Sequence, residues 1–323
     1  MNALLQMQAV DKRYTGTPVL RRVDFALTPG EFVVLIGGSG SGKTTLLRLV
    51  GGLERADGGT IRLRGQAVDA PAAGTWVPPE RRGLGMVFQD YALWPHLSCR
   101  ENVAAAVPRR GGDRGRLAME LLDRVGMARH ANKRPAQLSG GEQQRVGIAR
   151  NLTREFGAGA LFVSHDPMDA WRMADRIAVL EHGTLSQTDA PEALYARPAT
   201  ARVARFIGAQ GGFSTRVKRT RDTLGVELGG RFHAATVTGV TEGDDAQVFV
   251  RPAGICTHSD GVPATLMHCA FEAGTYRAYW RLPDIGVPLC SHEPAPPPRG
   301  EARLKIAPEH IFVYPSNGDS ANV

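Results

Sequence analysis

Residues 32–50 read FVVLIGGSGSGKTTLLRLV and divide into three parts. Phe32 to Ile36 are apolar without a break, the pattern of a strand covered on both faces of a sheet. Gly37, Gly38, Ser39, Gly40, Ser41, Gly42, Lys43, Thr44 and Thr45 follow and fit G-x-x-x-x-G-K-S/T. Leu46, Leu47, Leu49 and Val50 then recur at helical spacing until Gly51-Gly52 ends the helix. A strand, a glycine-rich turn and a helix are the context that makes this pattern a P-loop. The glycines let backbone N–H groups curl around a β-phosphate. Lys43 neutralises the β- and γ-phosphates, Thr44 offers its hydroxyl to Mg²⁺, and the helix N-terminus adds its dipole.

Upstream, residues 3–36 are β-rich, with turn chemistry at Thr28-Pro29-Gly30. Downstream, "GTIRLRG" and "GLGMVFQ" within 58–88 read as short strands, and 101–132 turns helical, most plainly in "RLAMELLDRVGM". A further helix is expected over about 140–152. "GALFVSHD" then reads as a buried strand, "PMDAWRMADRI" as a helix with Pro167 at its start, and "AVLEHGTLSQ" as two strands across His182-Gly183. After the basic, Ala-rich 196–212 the texture changes. Short β-like runs alternate with Gly, Pro and Asp over 213–314, the pattern of a small all-β barrel or sandwich. The expected organisation is an α/β domain over 1–208 followed by an all-β domain over 209–323.

The bulk numbers narrow the class. A length of 323 residues suits two domains, and 42% hydrophobic residues describe an ordinary globular chain. No apolar run approaches the 18 or more needed to span a bilayer as a helix. The start "MNALLQMQAVDKRYTG" lacks a basic segment followed by an apolar one, so a secretory leader is not expected. Cys99, Cys256, Cys269 and Cys290 are scattered without a CxxC pair and read as reduced thiols packed as small hydrophobes. The net charge of +7 is spread in short pairs such as Arg21-Arg22, Arg81-Arg82 and Arg109-Arg110. That reads as a solvated basic surface, not a nucleic-acid interface. His258, His268 and His292 are too irregularly spaced to argue for a metal.

"LSGGEQQRVGIAR" (138–150) is a second chemical signal, because Ser139, Gly140 and Gly141 open a helix as a further anion-binding nest. One chain has little use for two phosphate cradles of its own. Two chains placed head to tail would each close this nest on the other's nucleotide. The chain resembles the ATPase subunit of an ATP-binding-cassette (ABC) transporter, with Leu138, Ser139, Gly140, Gly141, Glu142 and Gln143 matching the family signature. The resemblance implies a P-loop NTPase fold of ABC type, a mixed sheet plus a helical subdomain, with ATP and Mg²⁺ as cofactors. It implies that Tyr14 in "DKRYTGTPVL" stacks on adenine. Gln89 in "GMVFQDYALWPHLSCRENV" would touch Mg²⁺ beside Thr44, and would touch the attacking water, while the stretch after it faces membrane subunits. His165 in "FVSHD" matches the switch histidine at the γ-phosphate. The β-rich tail resembles the OB-like accessory barrel of importer ATPases. "VFQDYALWPHLS" is similar to the subgroup importing ferric iron, polyamines, sulfate or phosphonates. Implied partners are a second copy, a permease and, indirectly, a solute-binding protein, at the cytoplasmic face of a bacterial inner membrane, with no nucleic acid.

The resemblance breaks at "ARNLTREFGAGALFVSHD" (149–166). The family places an apolar strand ending in Asp-Glu, the Walker B element, between the signature and the switch histidine. The Asp holds Mg²⁺ through water and the Glu acts as general base. Here Ser139 and His165 stand 26 positions apart, and Glu155 is the only carboxylate between Arg150 and His165. The rest of the signature helix, an inner strand, a further helix and their loops need about 50 to 60 positions. About thirty residues are missing, with the join placed between Arg150 and Phe156. Loss of the base predicts a rate lower by about 10² to 10⁴. Loss of a strand expected beside the P-loop strand, buried on both faces, threatens a net stability of about 5 to 15 kcal/mol. One alternative has "ALFVS" (160–164) in that slot, presenting His165-Asp166 where Asp-Glu belongs. Three readings stay open: an importer ATPase, a pseudo-ATPase that holds nucleotide and lends its signature to a competent partner, and an in-frame deletion product without a stable fold.

Overall fold

The structure is a computed structural model describing residues 3–84, 93–107, 113–152, 159–163, 170–171 and 174–316, with backbone only at 106, 144, 148 and 150–152. The chain forms two compact units, Met1–Pro191 and Glu192–Val323.

In the first unit, β1 (Leu5–Tyr14) and β2 (Thr17–Leu27) form an antiparallel hairpin, closed by Thr15-Gly16. β3 (Phe32–Ile36) leaves for a second sheet, and α1 (Lys43–Gly51) follows it. β4 (Gly58–Leu63) returns to pair antiparallel with β1, and β5 (Gln66–Ala70) and β6 (Thr75–Trp76) extend that sheet to the order β2-β1-β4-β5-β6. Helices α2 (Cys99–Ala106), α3 (Arg114–Arg124) and α4 (Gly140–Leu152) pack on one another. Ser98 and Glu101 form a capping box on α2, while the Asp113 carboxylate accepts the amides of Gly115 and Arg116 to start α3. The helix expected over about 140–152 is therefore present.

The second sheet has the order β7-β3-β8-β9, from β7 (Ala160–Val163), β8 (Arg176–Glu181) and β9 (Thr184–Asp189). β3 is parallel to both neighbours, Val34 pairing with Phe162 on one side and Ile177 on the other. All five β3 residues are buried, as the unbroken apolar run predicts. Leu46 and Leu49 of α1 share one core cluster with Leu5, Met7 and Phe25 of the first sheet and Val33, Leu35 and Leu180 of the second. Each such side chain, fully buried, contributes about 1.5 to 3 kcal/mol, so α1 is fixed between the two sheets.

The slot beside the P-loop strand is thus filled, and by Ala160–Val163. The expectation that a missing strand leaves a gap next to β3 is corrected on this point, because β3 carries a strand on each side. β7 differs from β3 in burial. Its four residues are only half-buried, and among the described residues it is the edge of the sheet. Of "GALFVSHD", expected as a buried strand, Ala160–Val163 is therefore a strand with an incompletely covered side. His165 and Asp166 lie outside the described residues, as do Glu155, Pro167 and all of "GLGMVFQ" but its first two residues.

A short helix, Pro191–Ala196, begins at the last residue of the first unit, and a second, Ala201–Phe206, precedes the first strand of the second unit at Gln210. The second unit is all-β beyond them, as three sheets among the described residues. Val226, Val248, Trp280, Leu304 and Val313 belong to one core drawn from these sheets. The fully buried Trp280 donates its indole N–H to Ser291 Oγ at 2.9 Å, and Ser291 in turn donates to Glu293 at 2.7 Å, so the polar atoms of Trp280 and Ser291 are paired.

Candidate nucleotide site

The P-loop lies between β3 and α1, wedged against two neighbouring strands. A Cβ on Gly37 would stand 2.3 Å from the Leu180 carbonyl oxygen of β8. On Gly42, whose φ is +104°, it would stand 2.8 Å from Leu20 Cδ2 of β2. Only glycine fits either position, and the backbone can therefore curl tightly there. No side chain caps Gly42 and no acidic residue stands in the first turn of α1, so the positive end of the helix is uncompensated. Ser41 is buried, whereas Ser39, Gly40 and Thr44 face outward.

Lys43 is 5% exposed and folds back over the loop. Its ammonium donates to the Gly37 carbonyl at 2.9 Å, the Gly38 carbonyl at 2.8 Å and Ser41 Oγ at 3.4 Å. Burial pushes its pKa below the ordinary lysine range. A charge held by neutral carbonyls in a low-dielectric turn has much to gain from a phosphate oxygen.

Tyr14 ends β1 and is 39% exposed. Its hydroxyl donates to Glu54, which also takes a hydrogen bond from Arg48 Nη1 of α1 at 3.1 Å. Burial, and then the bond to Glu54, raise the phenol's pKa, while the neighbouring Thr45 side chain lowers it. The aromatic expected over adenine is therefore linked through Glu54 to α1.

The signature residues form a second helix start. Leu138 is buried. Ser139 donates its amide to Glu142 at 2.8 Å, and its Oγ accepts the Glu142 amide at 3.4 Å, a capping box at the head of α4. Those bonds from Ser139 hold the Glu142 carboxyl below the usual carboxylate range. Gln143 donates to the Pro135 and Leu138 carbonyls. A Cβ on Gly140 or Gly141 would meet nothing within 4 Å, so this nest faces open space. Gln89 and His165 lie outside the described residues.

The donor set decides what the site can hold. Nucleotide phosphates fit the glycine cradle, the buried ammonium and the bare helix end. For Mg²⁺ the described residues supply the Thr44 hydroxyl, and among them no cluster of three or more His, Cys, Asp or Glu occurs. Mg²⁺ commonly leans on one or two carboxylates besides phosphate oxygens and water. That support is thin here.

Two residues matter more than their sequence context signals. Arg82, read with Arg81 as solvated surface, is 3% exposed. Its guanidinium donates to the Leu49 carbonyl at 2.7 Å and the Val50 carbonyl at 2.9 Å, in the last turn of α1, and to Val77 and Val68 at 2.7 and 3.3 Å. That expectation is corrected: the Val50 carbonyl at the helix end needs a partner and Arg82 supplies it, while the Leu49 carbonyl accepts from Arg82 as well as from the Gly52 amide at 3.1 Å. Glu54 is the other, and only its position just after the helix could have marked it. The cysteines divide: all four are free, Cys99 and Cys290 buried, Cys269 half-buried and Cys256 exposed.

The sequence profile described as ABC transporter matches residues 20–156, which include both glycine nests. The "Fe(3+) ions import ATP-binding protein FbpC 2" of Rhodococcus jostii (strain RHA1) is 38% identical over 295 residues, covering 81% of this chain and 82% of that protein. The chain belongs to the ABC transporter family. Within it the chain falls with the ATP-binding subunits of importers. The "Spermidine/putrescine import ATP-binding protein PotA" of Nitratidesulfovibrio vulgaris is 33% identical, over 77% of this chain and 76% of the relative. A solved structure of the ATP-binding cassette MJ0796 in a dimeric, post-hydrolysis state with ADP and Pi is 27% identical over 58% of this chain and 98% of that one, at a TM-score of 0.39.

The alignments also show that this ABC subunit is shorter than the matched stretches of its relatives. The first spans 295 positions yet uses 81% of 323 residues, about 262, so about 33 positions of the relative have no counterpart here. The same comparison with the second relative, 293 positions against 77% of the chain, leaves about 44. The family profile itself ends at 156, at the expected join.

Proposed function

We propose that this ABC subunit binds ATP through Gly37–Thr45, with Tyr14 under the base, and presents Leu138–Gln143 to the nucleotide of a second copy. The nucleotide-binding domain is taken as 1–208 and the accessory barrel as 209–323. Thr44 and Gln89 are the ligands it would offer to Mg²⁺, Gln89 also the contact to the attacking water and His165 the contact to the γ-phosphate. The two-chain closure drives a permease at the cytoplasmic face of the membrane, served by a solute-binding protein. The transported solute is of the ferric-iron or polyamine class named in the relatives. Among the described residues no helix is long and apolar enough to cross a membrane, in keeping with a peripheral subunit. The observation that carries the reading is the Lys43 ammonium, buried among the carbonyls of a cradle that only glycine can form.

The missing Asp-Glu favours a second reading of the same site, in which the chain holds nucleotide and hydrolyses it slowly or not at all. The experiment that separates them measures MgATP binding and vanadate-sensitive hydrolysis by the purified chain with its permease. Binding with turnover supports a complete ATPase. Binding without turnover, with turnover restored by pairing with a full-length subunit, supports the nucleotide-holding form. Absence of binding overturns both.

A further inference from the structure

Tyr14 is the last residue of a strand, with an exposed ring at the start of a turn, and its backbone alone would leave that ring several rotamers. Its hydroxyl is tied down instead. Glu54 accepts it, Arg48 of α1 fixes Glu54 from the other side, and the backbone amides of Leu53 and Glu54 both donate to the Arg48 carbonyl, at 2.9 and 3.3 Å. Glu54 is therefore rigid with respect to the helix whose first turn carries Lys43 and Thr44. One face of the ring is also taken. The Lys12 ammonium stands 5.4 Å from the ring centroid and is parked there by the Arg55 carbonyl at 2.8 Å and Asp57 Oδ1 at 3.3 Å. Among the described residues no other ring or cation lies over Tyr14.

We infer that Glu54 is a positioning residue for the base: by holding the Tyr14 hydroxyl it fixes the ring at a set distance from the phosphate cradle, with the face away from Lys12 turned to a purine. This rests on the reading of Tyr14 as the base platform. The spacing between ring and cradle is then set by the partners of the hydroxyl, Glu54 with Thr45 beside it, and not by the β1–β2 turn.

The test is calorimetric titration of the full chain with magnesium ATP and with magnesium tripolyphosphate, which has the phosphates and lacks the base. Stacking on an aromatic is worth enough that Tyr14→Ala should weaken ATP about tenfold or more. Glu54→Ala and Tyr14→Phe should each weaken ATP about threefold to fivefold, since the ring remains but is no longer held. Glu54→Gln keeps an acceptor oxygen and should stay near the parent value. Tripolyphosphate binding should be unchanged in all four, which a merely destabilised fold would not produce. Glu54→Ala that weakens both ligands alike, or that leaves ATP binding unchanged while Tyr14→Ala weakens it, overturns the inference alone. Tyr14→Ala without effect on ATP overturns the base platform, and the tether with it.

Discussion

Lys43 and Arg82 are both buried cations held by backbone carbonyls, yet only one was legible. Lys43 belongs to a spaced pattern whose chemistry requires it. Arg82 is the second of two adjacent arginines, and nothing in that pair says which one turns inward. The contact that does so joins residues 33 positions apart, in the last turn of a helix. The consequences differ accordingly. Lys43→Ala removes a charge-assisted contact to phosphate worth about 1.5 to 3 kcal/mol, so ATP affinity should fall by about 10- to 100-fold, measured by titration, with little loss of stability. Arg82→Met leaves the Val50 and Val77 carbonyls without a donor, Leu49 and Val68 keeping the Gly52 and Val77 amides, and should cost about 3 kcal/mol or more of stability, seen as a lower denaturant midpoint at unchanged slope. Arg82→Lys should recover part of that loss.

Elements were easier to read than their neighbours. The β3 run, α1, α4 and the hairpin at His182-Gly183 follow from local pattern and stand where expected. β7 shows the limit, because "ALFV" is as apolar as "FVVL", and apolarity does not say how many strands will flank it. Its half-burial comes from topology. The entry to β3 is held by a device that pattern does not reveal either. Glu31 accepts from the Thr28 amide at 2.8 Å, from the Thr28 hydroxyl at 2.9 Å and from Arg176 Nη1 of β8 at 2.9 Å. Burial alone would raise its pKa, but the bonds from Thr28 and Arg176 outweigh it and hold the carboxyl below the ordinary value of 4.5. A carboxylate depressed in the folded state adds stability above its unfolded pKa, and that stability is lost as pH falls through the folded one. Glu31→Gln should therefore cost about 1 to 2 kcal/mol at neutral pH, with the difference from the parent shrinking below about pH 4.5 in urea titrations.

At the scale of the molecule, the chain divides into two units at 191/192, while the change of texture in the sequence falls near residue 210, where the first strand of the second unit begins, because an all-β segment needs frequent turns and an α/β one does not. The number of sheets in the second unit was not visible, since register depends on long-range pairing. Counting alone places a break between the signature match and His165, and the alignments leave about 33 to 44 positions of the relatives without a counterpart, summed along the whole chain. Its physical meaning turns on what was lost. Both flanks of β3 are occupied, and the glycine cradle, Lys43 and the signature nest are built from residues that the chain retains. On the proposed reading, the loss falls on the general base and on a carboxylate for the metal. The chain should therefore bind ATP while hydrolysing it about 10² to 10⁴ times more slowly than a repaired form. The repair is an insertion, between Arg150 and Phe156, of the matching segment from the Rhodococcus relative. In a coupled phosphate-release assay the repaired chain should gain at least about 10²-fold, and a further change of the inserted strand's terminal Glu to Gln should remove that gain. A parent chain that already turns over as fast as the repaired one would mean that another carboxylate, Glu155 or Asp166, serves as base.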